Sequence, residues 1–380
     1  MDAVLLDARV ARFAPAACPR LVVKIGSSLL VTADGDVRCD WLAGVLDDIA
    51  ARRAAGQSVV IVSSGAVALG AKRLGLPKGG RASLEDAQAA AACGQIMLSG
   101  CYADLLGSRG IQAAQILLTL GDLEDRRRFL NVAATLDRLL ALGVVPVLNE
   151  NDSVATAEIR FGDNDRLAAR AGQAAGAAGV ILLSDIDGLY TADPGSDPAA
   201  TLIDTVTRLD AATEAMAAPT SGSGLGSGGM VAKLQAAKIA LGAGIHLAIV
   251  DGRVLRPLAR FDATARGTVF IAGEGARAKK AWLAGRLTVA GRVFVDAGAV
   301  AALVQGRSLL AAGAVRIEGQ FARGDAVEII GPCGAVARGL AGYDAGDAAR
   351  IIGTRNEAQA QLLGYAPRAA LVHRDHLVLL

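Results

Sequence analysis

Over roughly the first 270 residues, short apolar runs rich in β-branched side chains alternate with longer Ala- and Leu-rich stretches of helical period. The runs cover 21–25, 58–62, 111–118, 144–148, 180–183 and 245–250. They are continuous rather than polar at every second position, the pattern of strands covered on both faces. Alternation of such strands with helices predicts an α/β fold on an open, mainly parallel sheet. Ligands in folds of this kind sit in loops beyond the carboxyl ends of the strands. Two helices can be bounded more closely. Asp40 is read as the N-cap of one that carries Trp41, Leu42, Val45, Leu46 and Ile49 on one face and stops before Gly56. Another is read from Ser83 to about Leu106, ending at Gly107.

A chain of 380 residues is long for one core, so two domains are expected. The pattern changes at the polar segment G-E-G-A-R-A-K-K, and 273–284 reads as a linker. Beyond it, 285–380 contains short Gly-punctuated strands, among them 286–289, 315–317 and 326–330, the signature of a small, mostly β domain. Residues 1–19 read as an extension ahead of the first strand, and 20–272 as the larger domain.

Charge and cysteine content narrow the function classes. The 39 basic and 37 acidic residues leave a net charge of +2, too balanced for a nucleic-acid surface carried by bulk charge. Apolar residues reach 53%, but much of this is Ala, and no run of 18 or more residues is both strongly apolar and uncharged, so no membrane span is expected. The opening M-D-A-V-L-L-D has acids where a signal peptide carries basic residues. Five cysteines (Cys18, Cys39, Cys93, Cys101 and Cys333) with no C-x-x-C pair suit free thiols in the reducing cytoplasm.

Four loops combine glycine with groups able to do chemistry. In V-V-K-I-G-S-S, Lys24 ends an apolar strand and Gly26 lets backbone N–H groups approach an anion, although a lysine at a strand end is often only a solvated tip. V-S-S-G-A at 62–66 leads from a strand through small polar residues into a helix, which an ordinary serine N-cap explains equally well. S-G-L-G-S-G-G-M-V-A-K at 223–233 opens a helix with a glycine-rich loop, a natural anion site, and sets Lys233 one turn inside. Its G-x-G-x-x-G spacing follows no strand and makes a weak dinucleotide signal, and no Walker A sequence occurs. N-E-N-D at 149–152, A-T-A-E-I-R at 155–160 and G-D-N-D at 162–165 crowd acids and amides onto the end of a strand that reads as buried. The three histidines, His246, His373 and His376, lie outside these loops. Chemistry that needs a histidine base is therefore disfavoured. A carboxylate nucleophile is ionised at neutral pH and needs no base. It needs cations and N–H groups that gather anions and stabilise a transferring phosphoryl group, and two lysines on glycine-rich loops suit that task.

These segments, with L-L-T-L-G-D-L-E-D-R-R-R-F-L-N, D-G-L-Y-T-A-D-P and G-S-G-G-M-V-A-K-L-Q-A-A, resemble the bacterial glutamate 5-kinase family in order and spacing. V-D-A-G-A-V-A-A-L-V-Q-G-R-S-L-L and L-G-Y-A-P-R-A-A-L-V-H-R-D resemble that family's C-terminal PUA domain. The resemblance covers nearly everything from residue 20 onward. It implies an amino acid kinase domain, a three-layer α/β/α sandwich, and ATP-dependent phosphorylation of the glutamate side-chain carboxylate as the first step of proline synthesis. It implies that Lys24 and Lys233 contact the ATP phosphates and the transition state, with Asp165 orienting both. Ser64, Asp152 and Asn164 would bind glutamate. Ser184, Asp185 and the loop Ser227, Gly228, Gly229, Met230, Val231, Ala232 and Lys233 would contact the nucleotide. Glu158 and Arg160 fall in the loop linked to feedback inhibition by proline. Ser63, Ser184 and Ser227 stand where the family often has Thr, and Arg160 where it often has Lys; hydroxyl and charge are kept. Mg²⁺ is expected with ATP, held mainly by phosphates, since no dedicated all-protein metal site is visible. A homo-oligomer, dimer or tetramer, and a downstream glutamyl phosphate reductase are the implied protein partners. Another kinase of the superfamily, such as acetylglutamate kinase, is disfavoured by the appended β domain and the N-E-N-D/G-D-N-D pair. A primarily RNA-binding role is disfavoured by the near-neutral charge.

Overall fold

The computed structural model describes residues 7–154, 164–217, 229–273, 289–368 and 370–380. The chain forms two compact units, residues 1–275 and 276–380. In the first, the apolar runs become β1 (Arg20–Ile25), β2 (Ser58–Ser63), β3 (Ala113–Leu118), β4 (Val145–Glu150) and β5 (Gly179–Ser184). The short strands β6 (Leu189–Tyr190), β7 (Leu202–Ile203) and β8 (Thr205–Val206) follow, then β9 (His246–Asp251) and β10 (Thr268–Phe270). Among the described residues eight of these make one sheet in the order β3-β4-β2-β1-β5-β9-β10-β8. Only the β9–β10 pairing in it is antiparallel. The third run starts later than its apolar pattern suggests, because the Ile111 N–H closes the preceding helix on the Leu106 carbonyl.

The sheet is covered on both faces. Leu21, Val23 and Ile25 of β1 join one core with Trp41, Leu42, Val45, Leu46 and Ile49 of the helix Cys39–Ala54 and Leu98, Tyr102 and Leu106 of the helix Leu84–Gly107. Side chains alternate along a strand, so Val22 and Lys24 point to the other face. There Val22 packs by Gly172 of the helix Asn164–Ala175. This alternation aims Lys24 at the layer that carries Asp165.

One expectation needs amendment. The helix read from Asp40 begins at Cys39 with Arg38 at its N-cap and no side-chain cap; Asp40 lies in the first turn. The start is set upstream, where the Arg38 N–H bonds the Leu30 carbonyl and its guanidinium bonds the Leu29 carbonyl at 3.1 Å. The extension before β1 is anchored: Phe13 and Cys18 are fully buried, and the Phe13 carbonyl accepts from Arg52 Nη1 at 3.0 Å and Gln57 Nε2 at 2.9 Å.

The helix Leu84–Gly107 is long and apolar enough to cross a membrane by length and composition. Its Ala87, Ala90, Ala91, Gly94, Leu98, Tyr102 and Leu106 are buried inside this unit. It meets the helix Ala66–Leu74 at Gly70 and Gly94, where a methyl group on either glycine would overlap backbone atoms of the facing helix.

The second unit has its own core. β11 (Val289–Val295), β12 (Ala314–Gly319), β13 (Ala326–Gly331), β14 (Gly334–Leu340) and β15 (Leu377–Leu379) form a five-stranded sheet in the order β12-β11-β13-β14-β15. Val293, Val327, Ile329, Ala337, Ile351 and Val372 are buried together. The strand read at 286–289 lies outside the described residues except for Val289, the first residue of β11.

Candidate active site

The polar loops converge at the carboxyl ends of β1, β2, β4 and β5. β1 is flanked by β2 on one side and β5 on the other, so the direction of chain progression reverses there, where open α/β sheets leave a crevice. Lys24 and Gly26 end β1, Ser63 and Ser64 end β2, Asn149 and Glu150 end β4, and Ser184 ends β5.

Lys24, Asp165 and Lys233 meet in one cluster. Lys24 Nζ lies 2.7 Å from Asp165 Oδ1 and Lys233 Nζ 3.0 Å from Asp165 Oδ2. All three residues are buried. Burial alone would raise the Asp165 pKa, but the charges of Lys24 and Lys233 hold it below the usual carboxylate range. Two ammonium groups against one carboxylate leave one net positive charge, suited to a phosphoryl group. Gly26 keeps the floor open: a side chain there would begin 3.6 Å from Lys24 Nζ.

Asn164, next to Asp165 at the start of the helix Asn164–Ala175, turns to a second cluster. Its Nδ2 donates to the Ser63 carbonyl at 3.0 Å, Ser64 Oγ at 2.6 Å and Asn149 Oδ1 at 3.1 Å. Asn164 Oδ1 is buried with no hydrogen-bond partner among the described residues. Ser64 Oγ accepts from Asn164, so its own proton is available to another acceptor. Asp152 lies just past β4 in the turn Asp152–Val154. Burial and the neighbouring Glu150 carboxylate raise its pKa to about 7, with Arg81 opposing.

Ser184 Oγ lies 3.2 Å from Asp185 Oδ1, and the Ser184 carbonyl accepts from the Gly252 N–H at 2.7 Å. Gly229 is the N-cap of the helix Met230–Gly242 and supplies no side-chain cap, so the first-turn N–H groups at Met230 and Val231 are oriented as an anion site needs, while the Ala232 N–H bonds the Gly229 carbonyl at 3.0 Å. Ser227, Gly228, Glu158 and Arg160 lie outside the described residues.

A sequence profile described as the amino acid kinase family matches residues 19–251, and one for the PUA domain matches residues 291–359. The glutamate 5-kinase of Sphingopyxis alaskensis is 65% identical over 97% of this chain and 99% of its own. That of Zymomonas mobilis is 61% identical over 97% and 93%, and that of Novosphingobium aromaticivorans 61% over 96% and 96%. The chain belongs to the glutamate 5-kinase branch of the amino acid kinase family. It is a kinase, and its second unit carries the PUA domain of these proteins.

The sequence offers Lys24 and Lys233 as cations on glycine-rich loops, and Asp165 between them enters only through the family resemblance. The supports of the neighbouring Asn164–Ser64 cluster were less visible. Asn149 sits inside the N-E-N-D motif, but reading the motif as a lined pocket did not single it out. Gln95 and Tyr102, which hold Asn149 and Ser63, lie in an Ala-rich helix with no motif around them. The signal available was a polar residue on the inward face of that helix: Tyr102 is fully buried and donates to Ser63 Oγ at 2.9 Å.

Proposed function

We propose that this kinase transfers the γ-phosphoryl group of ATP to the side-chain carboxylate of L-glutamate, giving L-glutamyl 5-phosphate, and that it thereby opens proline synthesis. The observation that carries the reading is the pair of buried ammonium groups on one carboxylate, set beside an amide–hydroxyl cluster. The first suits a phosphoryl group in transfer and the second the amino acid.

Lys24 and Lys233 neutralise charge on the phosphoryl oxygens, and Asp165 spaces the two ammonium groups. The substrate carboxylate forms the new bond to phosphorus as the bridge to the departing ADP breaks. No proton moves in that step, so no side chain serves as general base. Ser64 donates to a substrate carboxylate oxygen, while Asn164 Oδ1 and Asp152 accept from its α-ammonium group. Ser184, Asp185 and the N–H groups of Gly229, Met230 and Val231 hold the nucleotide, with Ser227, Gly228 and Ala232 in the same loop. A Mg²⁺ ion held on the ATP phosphates would supply charge neutralisation there.

Proline acts as feedback inhibitor through the loop containing Glu158 and Arg160. The enzyme works in the cytoplasm as a homo-oligomer and hands its acyl phosphate to a glutamyl phosphate reductase. The test of substrate is a comparison of ATP-dependent ADP release with glutamate and with N-acetylglutamate. Glutamate should be used far better, and a preference for the acetylated amino acid would overturn the assignment.

A further inference from the structure

The orientations of the buried amides are fixed by backbone groups. The Glu150 N–H donates to an Asn149 side-chain atom at 2.9 Å, so that atom is Oδ1. The other end, Nδ2, donates to Gln95 Oε1 at 2.8 Å. The Ser63 carbonyl can only accept, so the Asn164 atom 3.0 Å away is Nδ2. Asn149 Oδ1 therefore receives two donors, Glu150 N–H and Asn164 Nδ2. Each link sets the next: Gln95, Asn149, Asn164, Ser64.

We propose that Gln95 is a positioning residue for the amino acid substrate, acting through Asn149 on the amide of Asn164 and the hydroxyl of Ser64. The inference rests on the reading of Ser64 and Asn164 as the glutamate-binding pair. Asn149 is only 2% exposed, so its Nδ2 has no water to turn to if the acceptor at residue 95 is removed. Nδ2 is then left buried without an acceptor, and the side chain loses the contact that holds its Oδ1 toward the Glu150 N–H and Asn164 Nδ2. The acceptor that orients Asn164 Nδ2 is then less well held, and with it the orientation that leaves Asn164 Oδ1 for the substrate. Gln95 is itself half-buried on the helix Leu84–Gly107, and Tyr102 of the same helix braces Ser63 two turns on. One helix thus holds the ends of both β2 and β4.

The test replaces the acceptor without changing the volume. Gln95→Met is close in size and cannot accept from Asn149; Gln95→Glu keeps an acceptor oxygen at the same reach. Glutamate and ATP saturation curves are measured for the wild type and both variants, with thermal melts to verify folding. Gln95→Met should raise the glutamate KM about tenfold, the scale of one lost hydrogen bond to a buried group, with the ATP KM unchanged. Gln95→Glu should restore the glutamate KM to within about twofold of wild type, a rescue that a packing role would not give. A folded Gln95→Met variant with normal glutamate KM would overturn the proposal. So would equal impairment of the two variants, or an equal rise in the ATP KM. A wild type that does not turn over glutamate would instead overturn the substrate reading, and the proposal with it.

Discussion

Asn164 and Asp165 are consecutive, yet their side chains serve two different clusters. Asn164 bonds Ser63, Ser64 and Asn149, while Asp165 lies between the ammonium groups of Lys24 and Lys233. Successive residues at the start of a helix project about 100° apart, so two neighbouring positions can face two binding regions at a fixed separation. The helix Asn164–Ala175 is buried along most of its length, which makes that separation rigid.

Asp165→Ala should destabilise the protein, because it removes the carboxylate that two buried ammonium groups share. Loss of one partner in a buried ion pair costs on the order of 3–5 kcal/mol. The folded pKa of Asp165 is lowered, so its contribution is present above the ordinary value of 3.8 and is lost as the pH falls through the folded pKa. Thermal melts should show the largest gap between wild type and variant near pH 7 and a narrowing gap below about pH 4. A gap independent of pH would contradict the ion-pair account.

Asp152 carries the opposite sign. Its pKa is raised to about 7, so the carboxylate becomes charged only as the pH rises through neutrality. If it receives the substrate ammonium, the glutamate KM should fall between pH 6 and pH 8 in the wild type. In Asp152→Asn the KM should be high and flat over that range. The stability linked to a raised carboxylate pKa is full below 3.8 and is lost as pH rises through about 7. Asp152→Asn should therefore gain melting temperature relative to wild type at pH 8, and not at pH 3.5.

Gly94→Ala should be strongly destabilising although alanine is the better helix former. The added methyl would overlap the Ala66 carbonyl and the Gly70 N–H of the facing helix, both backbone atoms that cannot rotate away. Overpacking of this kind costs on the order of 1–3 kcal/mol or more. A chemical melt of Gly94→Ala matching wild type would mean that the helices separate freely.

Phe13→Ala should lower stability by about 3–5 kcal/mol, the usual loss for a buried aromatic. The ring is fully buried and meets Phe261 edge-on at 5.9 Å and His246 at 6.4 Å. Equilibrium unfolding in urea measures this directly. An unchanged midpoint would show that the segment before β1 contributes nothing to the core.

Much of the larger unit was legible in its sequence because strands covered on both faces need uninterrupted apolar runs, and 58–62, 144–148 and 180–183 are such runs. Lys24 ends such a run, but a charge there is as often a solvated strand end, and only the family resemblance marked it. The start of the helix after residue 38 was not, because Asp40 has the chemistry of an N-cap while contacts of Arg38 to the Leu30 and Leu29 carbonyls decide where the helix begins. The anchoring of Phe13 was hidden because its partners, Arg52, Gln57, His246 and Phe261, come from distant segments. Gln95 was hidden because a single amide in an Ala-rich helix has no local pattern, and its partner on β4 is visible only once the helix is docked.

The most direct measurement is trapping of the acyl phosphate. Wild type, Lys24→Ala and Lys233→Ala are incubated with glutamate, ATP, Mg²⁺ and hydroxylamine, and γ-glutamyl hydroxamate is quantified. The account predicts hydroxamate that requires both glutamate and ATP. It also predicts that kcat falls on the order of a hundredfold or more in either variant, the scale of one lost preorganised electrostatic contact. Arginine at either position should rescue poorly, since a planar guanidinium does not replace a compact ammonium. Absence of hydroxamate from active wild-type protein, or a folded double variant with nearly normal kcat, would contradict it.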